Sequence, residues 1–180
     1  RDRDVTGVQT CALPILIIGS TNGKLVRFFE NDVRAMGRTA AGVKGINLDS
    51  NEYVVGMDVI ESEEELVLSI SEYGFGKLTP ISEYRLTNRG GKGVKTLNIT
   101  EKNGKLVSVR TVMEEDQDLM IVTNKGMIIR LPISQISVTG RATLGVKLIN
   151  LKEDQLVASA AIIPADNENE EELINVNNGS

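Results

Sequence analysis

The sequence contains no histidine and a single cysteine, Cys11, among its 180 residues. These counts exclude an internal disulfide, the common imidazole and thiolate metal sites, and catalysis of the Ser-His-Asp type. No apolar run approaches the roughly 20 residues that a membrane-spanning helix needs. The sequence therefore predicts a soluble, cytoplasmic protein that uses no metal, no cofactor and no membrane partner.

Positive charge is missing from the end of the chain. From Pro164 onward there is no Lys or Arg, and the five acids of this segment account for the whole net charge of −5. Such a composition buries too little apolar surface to offset its ordering entropy, so residues 164–180 are predicted to form an acidic disordered tail. The rest of the chain is close to neutral, and the net charge does not argue against a nucleic-acid partner.

The beginning of the chain has a different character. Residues 5–15, Val-Thr-Gly-Val-Gln-Thr-Cys-Ala-Leu-Pro-Ile, resemble the in-frame translation of a widely used sequencing-library adapter. Residues 1–15 are therefore predicted to be an adapter artefact or another non-native segment, and the genuine protein to be longer at its N-terminus. The alternative is a genuine variable strand and turn.

One short motif recurs along the remaining sequence. Gly-Val-Lys occurs at residues 42–44, 93–95 and 145–147, which are 51 and 52 residues apart. Each copy follows an Arg-containing polar turn and precedes two apolar residues that flank an asparagine. Each unit also opens with a short apolar run. The predicted units are 16–60, 66–112 and 119–163, and repeats of this length are typical of propellers and related arrays.

Within a unit the apolar runs are short, rich in β-branched residues and separated by turn residues, which indicates strands. In the third unit they predict four strands, at 119–123, 127–131, 146–151 and 155–162. Asn22-Gly23, Asn103-Gly104 and Asn124-Lys125-Gly126 have the composition of hairpin turns. The sequence therefore predicts an all-β protein with three four-stranded blades of a propeller or a near relative.

Positive charge recurs with the same period, whereas acids gather between the Gly-Val-Lys copies. If the blades stack with a constant rotation, equivalent cations lie on one rim and form a basic belt. Such a belt suits the phosphates of a bent duplex. The turns hold no aromatic residue apart from Tyr84 at an edge, so stacking on single strands is disfavoured. The predicted DNA-binding residues are Arg34, Arg38, Lys44, Arg85, Arg89, Lys92, Lys95, Arg130, Arg141 and Lys147.

Three other features have competing interpretations. Gly90, Gly91 and Gly93 either let backbone amides approach phosphates or form a tight loop between strands. A nucleotide-binding loop is excluded, because that motif needs Gly before the Lys and a helix after it. The cluster of acids at 61–65 is predicted to be a solvated linker and not a metal site. Tyrosines 53, 73 and 84 are expected to pack or cap strands and not to act as nucleophiles.

The middle turn carries a family resemblance. It reads Thr87-Asn88-Arg89-Gly90-Gly91-Lys92-Gly93, and its last five positions resemble the box Gln-Arg-Arg-Gly-Gly-Lys-Gly of the C-terminal domain of the DNA gyrase A subunit. Thr87 and Asn88 depart from that box. The stretches 37–46, 74–80, 83–96 and 118–126 also resemble late blades of Gram-positive gyrase A subunits. The C-terminal domain of the topoisomerase IV C subunit, with a similar fold, is the alternative.

The resemblance implies a β-pinwheel that wraps duplex DNA around a basic perimeter, of which this chain would be the last three blades. The parent would be an ATP-dependent type II topoisomerase that introduces negative supercoils, together with the gyrase B subunit and a second A subunit. Its catalytic tyrosine would lie outside this chain, so no catalytic residue is expected here. Arg89 and Lys92 would be the best candidates for phosphate contacts. A propeller that binds proteins and no nucleic acid is a further alternative.

Overall fold

The computed structural model describes residues 14–113 and 117–164. They form eleven β-strands and three short 3-10 helical turns. The strands are β1 Ile15–Ser20, β2 Lys24–Phe29, β3 Val54–Ile60, β4 Leu66–Ser71, β5 Phe75–Pro80, β6 Val94–Lys95, β7 Leu106–Val112, β8 Gln117–Thr123, β9 Ile128–Pro132, β10 Val146–Lys147 and β11 Val157–Pro164. The 3-10 turns are Glu30–Asp32, Ile81–Glu83 and Ile133–Gln135. The predicted all-β class is confirmed.

The strands form three antiparallel sheets that follow one plan. The first sheet has the strand order β3-β1-β2-β6, the second β10-β5-β4-β7 and the third β11-β8-β9. In each sheet a tight hairpin joins two neighbouring strands, and the predicted hairpins at Asn22-Gly23 and Asn124-Lys125-Gly126 lie at two of these positions. The turn at Asn103-Gly104 is not a hairpin, because the strands on either side of it, β6 and β7, belong to different sheets.

The outer strand of a sheet comes from the following repeat. β6 lies in the second repeat but pairs with β2 of the first, with Val94 opposite Leu25. β10 of the third repeat pairs with β5 of the second, with Val146 opposite Gly76. We call each Gly-Val-Lys segment, at 42–44, 93–95 and 145–147, an arm. The arms at 93–95 and 145–147 satisfy backbone groups that the edge strand of the preceding sheet would otherwise leave unpaired.

This exchange corrects the predicted blades. The run at 146–151 is not a strand of its own repeat, since only Val146–Lys147 is extended and it completes the second sheet. The third sheet accordingly has three strands within the described residues and not the four that were predicted. The repeat in sequence and the sheet in space are therefore offset by one strand.

Close contact between backbones explains the glycine that opens the second and the third arm. Gly93 and Gly145 adopt φ of 75° and 79°. A Cβ at Gly93 would lie 2.6 Å from the carbonyl oxygen of Leu25, and a Cβ at Gly145 would lie 2.8 Å from that of Gly76. Gly42 has the same conformation, with φ of 81°, but no described atom lies within 4 Å of its Cβ position. For Gly93, this favours the interpretation of the turn as a tight loop between strands.

The core lies between successive sheets. One cluster joins the first and second sheets and includes Ile17, Leu25 and Val109, whereas another joins the second and third and includes Leu68, Leu78 and Ile121. Because it is covered on both faces, the second sheet has a central strand, β4, in which every residue is buried. β9 of the third sheet alternates between exposed and half-buried positions.

Tyr84 fixes the end of the second 3-10 turn in this core. Its side chain is 0% exposed and its hydroxyl lies 2.6 Å from Thr96 Oγ1, which in turn lies 3.1 Å from Ser69 Oγ. Burial raises the pKa of the Tyr84 phenol to about 12. Tyr84 packs in the core as expected, whereas Tyr53 is 67% exposed and directly precedes β3.

Replacing Tyr84 with phenylalanine should lower the free energy of unfolding by about 1 kcal/mol, because Thr96 loses one buried hydrogen-bond partner but keeps Ser69. The measurement is urea denaturation followed by circular dichroism. Tyr53→Phe removes the same atom from an exposed ring and is the matched control, with no change expected. An equal loss in both variants would contradict the buried network.

The borders of the repeats also depart in detail from the prediction. Ile15 pairs with Phe29 and Ile60, so this residue of the predicted foreign segment lies within β1. Glu65, in the predicted solvated linker, is buried and its carboxylate accepts hydrogen bonds from two backbone N–H groups of its own turn. The origin of residues 1–13 and the predicted disorder of residues 165–180 concern segments outside the described residues.

Candidate nucleic-acid interface

Three basic turns carry most of the cations that the sequence singles out. We call them turn 1 (residues 37–44), turn 2 (88–95) and turn 3 (140–147). Each follows a 3-10 turn of its own repeat and ends in an arm. The docked arms of turns 2 and 3 cross to the preceding sheet. Turns 2 and 3 therefore lie over the junctions between neighbouring repeats, where an extended ligand would meet them in succession.

Direct contacts join the three turns into a row, which we call the belt. The guanidinium of Arg89 donates from Nη1 to the carbonyl oxygen of Lys44 at 3.2 Å. The equivalent Arg141 donates from Nη1 to the carbonyl oxygen of Lys95, also at 3.2 Å. In each case the arginine of one turn holds the arm lysine of the previous turn. The recurring Arg and Lys of the sequence are thus contact partners across the repeats.

Further bonds fix turn 2 to the residues on either side of turn 1. The N–H of Gly90 donates to the carbonyl oxygen of Gly45 at 2.6 Å, and the N–H of Asn47 donates to that of Gly91 at 2.9 Å. Arg89 Nε donates to the carbonyl oxygen of Asp32 at 2.7 Å. The half-buried Arg89 therefore holds the two turns together, a structural role that the sequence of the box-like turn did not indicate.

Most of the other predicted DNA contacts point to solvent. Lys44 and Lys95 are exposed, and their ammonium groups lie 3.3 Å and 3.2 Å from the side-chain oxygens of Asn47 and Asn98. Lys92 is exposed and 3.8 Å from a carboxylate oxygen of Asp49. Four more are exposed and make no side-chain hydrogen bond or ion pair with any described residue: Arg34, Arg38, Arg85 and Lys147.

The box-like turn also surrounds a concavity. It has a volume of about 420 Å³ and is lined by Arg85 and by Thr87, Asn88, Arg89, Gly90, Gly91, Lys92 and Gly93. The backbone at Gly90 has φ of 77°, which glycine adopts without strain. Backbone and cationic groups thus face the same space, an arrangement that can hold an anion.

Arg130 does not lie in any of the three turns. It is on β9, where its Nε lies 2.6 Å from a carboxylate oxygen of Asp118. Its Nη2 also donates to the carbonyl oxygen of Pro164 at 3.4 Å. The structure therefore places this predicted DNA contact in an ion pair away from the row of turns.

Acids are less completely separated from the belt than the sequence indicated. Glu83 lies next to turn 3, where its Oε2 accepts a hydrogen bond from the N–H of Arg141 at 2.9 Å. Asp49 lies near both Lys92 and Lys24. Two carboxylates thus lie beside the belt, and they reduce its positive potential locally.

Two buried cations were missed by sequence reasoning. Arg27 is 7% exposed, donates to the carbonyl oxygens of Ile81 and Tyr84, and pairs with Glu63. Lys77 is 0% exposed and reaches turn 3. Lys77, Leu78 and Thr79 of β5 alternate between polar and apolar residues, which resembles a sheet face open to water, and Arg27 lies between apolar residues of β2. No local signal shows that the neighbouring repeat covers that face.

The described residues contain no group of three or more His, Cys, Asp or Glu side chains that could hold a metal ion. They also contain no helix long and apolar enough to cross a membrane.

Comparison with known proteins gives the family. The model of the DNA gyrase C-terminal domain, a β-propeller family, matches residues 14–61, 65–113 and 117–164, and each segment contains one repeat. The chain belongs to the DNA gyrase C-terminal domain family. Over 86% of its length it is 52% identical to the DNA gyrase A subunit of Staphylococcus epidermidis. Over 98% of its length it is 48% identical to the DNA gyrase A subunit of Ureaplasma parvum.

The chain spans 17% and 21% of those two relatives, so it corresponds to about a fifth of a gyrase A subunit. Among solved structures, the C-terminal domain of DNA topoisomerase IV superposes with a TM-score of 0.80 at 25% identity, over 85% of this chain and 47% of that one. The DNA gyrase A C-terminal domain superposes with a TM-score of 0.76 at 24% identity, over 83% of this chain and 50% of that one. The pinwheel fold is thereby confirmed.

Proposed function

We propose that this chain binds duplex DNA along the belt and bends it, as the DNA-wrapping part of a gyrase A subunit. The row of turns held together by the Arg89–Lys44 and Arg141–Lys95 bonds carries this proposal. These bonds keep the exposed cations of successive repeats next to each other on one surface. A rigid row of cations binds phosphates irrespective of base sequence and lowers the cost of curvature by contacts along the bend.

Duplex DNA fits the surface better than single strands do. Binding of unpaired bases relies on exposed aromatic rings. The aromatic residue nearest to turn 2 in the sequence is Tyr84. Its ring is buried and its hydroxyl is hydrogen-bonded to Thr96. The belt therefore offers cations and backbone amides to phosphates, and no stacking surface to bases.

The parent protein follows from the family. Its curated relatives are A subunits of DNA gyrase, and we infer an ATP-dependent type II topoisomerase that introduces negative supercoils. In that assembly the chain acts with the gyrase B subunit and a second A subunit, in the cytoplasm and associated with the nucleoid. The chain itself contributes DNA contacts and no catalytic group.

Salt dependence tests the phosphate contacts. Each phosphate that is neutralised adds about −0.9 to the slope of log affinity against log salt, so three or four contacts by turn 2 alone predict a slope of about −3 or steeper. The measurement is fluorescence anisotropy with a random duplex of about 40 base pairs. A single strand of the same sequence is the control and should bind more weakly. A slope near zero would exclude the phosphate belt.

Wrapping is tested by DNA topology. Closed circular DNA that is relaxed by a nicking-closing enzyme in the presence of the chain should keep a shifted distribution of topoisomers after protein removal.

The TM-score of 0.80 with the topoisomerase IV domain favours that family as the second candidate. Salt-dependent binding without a topoisomer shift would leave only a DNA-contact role, which either family can have, and would remove the support for wrapping.

A further inference from the structure

Lys77 is a buried lysine whose ammonium group contacts residues of the following repeat. It lies on β5 and its side chain is 0% exposed. Its Nζ lies 2.6 Å from the carbonyl oxygen of Gly140, 2.6 Å from that of Arg141 and 3.0 Å from Thr143 Oγ1. All three acceptors belong to turn 3. The ammonium group of Lys77 therefore makes all three of these hydrogen bonds to turn 3 of the belt.

Two neighbours of Lys77 hold the same region. Thr79 lies two residues further along β5, and its hydroxyl donates to the carbonyl oxygen of Thr139 at 2.9 Å. Glu83 accepts from the N–H of Arg141 at 2.9 Å. Side chains of the second repeat thus form five hydrogen bonds with residues 139–143. Lys77 supplies three of these five bonds.

The preceding junction is built without such a lysine. The position in β2 that corresponds to Lys77 is Val26, counted from the hairpin glycines Gly23 and Gly74. There, turn 2 is held partly by its own arginine, since Arg89 donates from both Nε and Nη1 to carbonyl oxygens. In turn 3, Arg141 donates to a described residue only from Nη1 of its guanidinium. Its Nε and Nη2 have no partner among the described residues.

We propose that Lys77 is a positioning residue for DNA binding, which clamps turn 3 so that the guanidinium of Arg141 is available to a phosphate. This inference rests on the proposed function of the belt. An ammonium group has three N–H donors and matches the three acceptors, whereas a neutral amine has only two. The clamp is therefore complete only while Lys77 is protonated.

Protonation of Lys77 is sensitive to pH near neutrality. Burial, opposed by the negative charge of Glu83 and reinforced by the positive charge of Arg141, lowers the pKa of its ammonium group to about 8. Glu83 and Arg141 are the charged groups that face it. An ordinary lysine keeps its charge to about pH 10 and arginine beyond it. DNA affinity should therefore fall between about pH 7 and pH 9 as Lys77 loses its proton.

Loss of stability would not explain that fall. The pKa of Lys77 is lower in the folded chain than its ordinary value of 10.5. Between about pH 8 and pH 10.5 the unfolded chain binds more protons, so this group makes the free energy of unfolding rise with pH. Weaker DNA binding over the same range would arise from the released turn and not from unfolding.

The test uses the whole chain and three variants. Lys77→Met removes the clamp, Lys77→Arg keeps a charge that does not titrate, and Arg110→Met removes an exposed charge on β7, at the edge of the second sheet opposite β10. Affinity for a duplex of about 40 base pairs is measured at about pH 7 and pH 9 at constant salt. Hydrogen exchange of residues 139–143 at about pH 7 reports the order of turn 3.

We expect Lys77→Met to bind about tenfold more weakly at neutral pH, with no further loss at higher pH and with faster exchange in turn 3. Lys77→Arg should restore affinity and show a flat pH profile. Arg110→Met should lose at most about twofold and keep the wild-type profile. Wild-type affinity, pH profile and exchange in Lys77→Met would overturn the clamp.

The remaining outcomes are also decisive. If the wild-type chain binds no duplex at any pH, the proposed function fails, and hydrogen exchange alone decides whether Lys77 orders turn 3. If Lys77→Met does not fold, the pH profile of the wild-type chain decides. A flat wild-type profile between about pH 7 and pH 9 would then reject the clamp, and a fall that is absent in Lys77→Arg would support it.

Discussion

Alanine at Gly145 should lower the free energy of unfolding by roughly 3 kcal/mol or more, whereas alanine at Gly42 should lower it by only about 1 kcal/mol. The two glycines have φ of 79° and 81°, so both variants carry the same backbone strain. They differ in their surroundings. A Cβ at Gly145 would lie 2.8 Å from the carbonyl oxygen of Gly76, whereas no described atom lies within 4 Å of the position at Gly42. The difference between the variants therefore measures how tightly an arm docks.

Urea denaturation of both variants provides the measurement, and Gly93→Ala extends it. At Gly93 the Cβ would lie 2.6 Å from the carbonyl oxygen of Leu25, so this variant should resemble Gly145→Ala. Hydrogen exchange should show that β5 loses protection in Gly145→Ala and that β2 does so in Gly93→Ala, because each strand loses its outer partner. Equal losses at Gly42 and Gly145 would show that the arms are not seated on the preceding sheets.

Removing one free cation from each end of the belt and one from beside its middle turn should weaken duplex binding about a hundredfold near physiological salt. Arg38, Arg85 and Lys147 suit this test because they are exposed and make no side-chain hydrogen bond or ion pair with described residues. Their replacement by glutamine therefore leaves the folded contacts intact. If each neutralises one phosphate, the slope of log affinity against log salt should become less steep by about 2.7.

A second triple variant separates the belt from net charge. Lys105, Arg110 and Lys125 are exposed and lie outside the three turns, so their replacement by glutamine removes the same charge elsewhere. This control should bind duplex DNA within about threefold of the wild-type chain. The belt variant should lose affinity for all sequences alike, since phosphates carry no base information. A hundredfold loss in the control as well would show that overall charge, and not the row of turns, governs binding.

Much of the fold was predictable because its information is local and repeated. Three apolar runs, beginning at residues 16, 66 and 119, mark the strands at the centre of each sheet, and the glycines that follow them mark the hairpins. A run of β-branched residues next to a turn signal predicts a strand that pairs with its neighbour in an antiparallel hairpin. The period of the sequence then gives the number of repeats.

The exchange of strands could not be predicted in the same way. β6 and β10 have two residues each, which is too short for any alternation between apolar and polar positions. Whether such a segment pairs within its own repeat or with the preceding one depends on which edge is open nearby. The choice of pairing partner is a property of the assembled sheets, and the residue types of the arm do not indicate it.

The candidate site was predicted in outline for a similar reason. Recurrence identified the arginines of the turns, and it placed Arg38, Arg89 and Arg141 at equivalent positions. It could not show that two of their guanidinium groups bind backbone carbonyls of the previous turn. Nor could it show the opposite case of Lys77, which looks solvated in the sequence and is buried by a neighbour.

The offset between repeat and sheet has a consequence for how such arrays change in length during evolution. A genetic crossover in the segment 61–65 exchanges a whole repeat, yet each sheet at the new border becomes a hybrid of two parents. The incoming repeat must bring a two-residue strand preceded by glycine that completes the sheet before it, and apolar side chains that match the core between the two sheets. Gain or loss of a repeat by duplication or deletion therefore requires compatibility only at the junction, and the interior of each sheet is inherited intact.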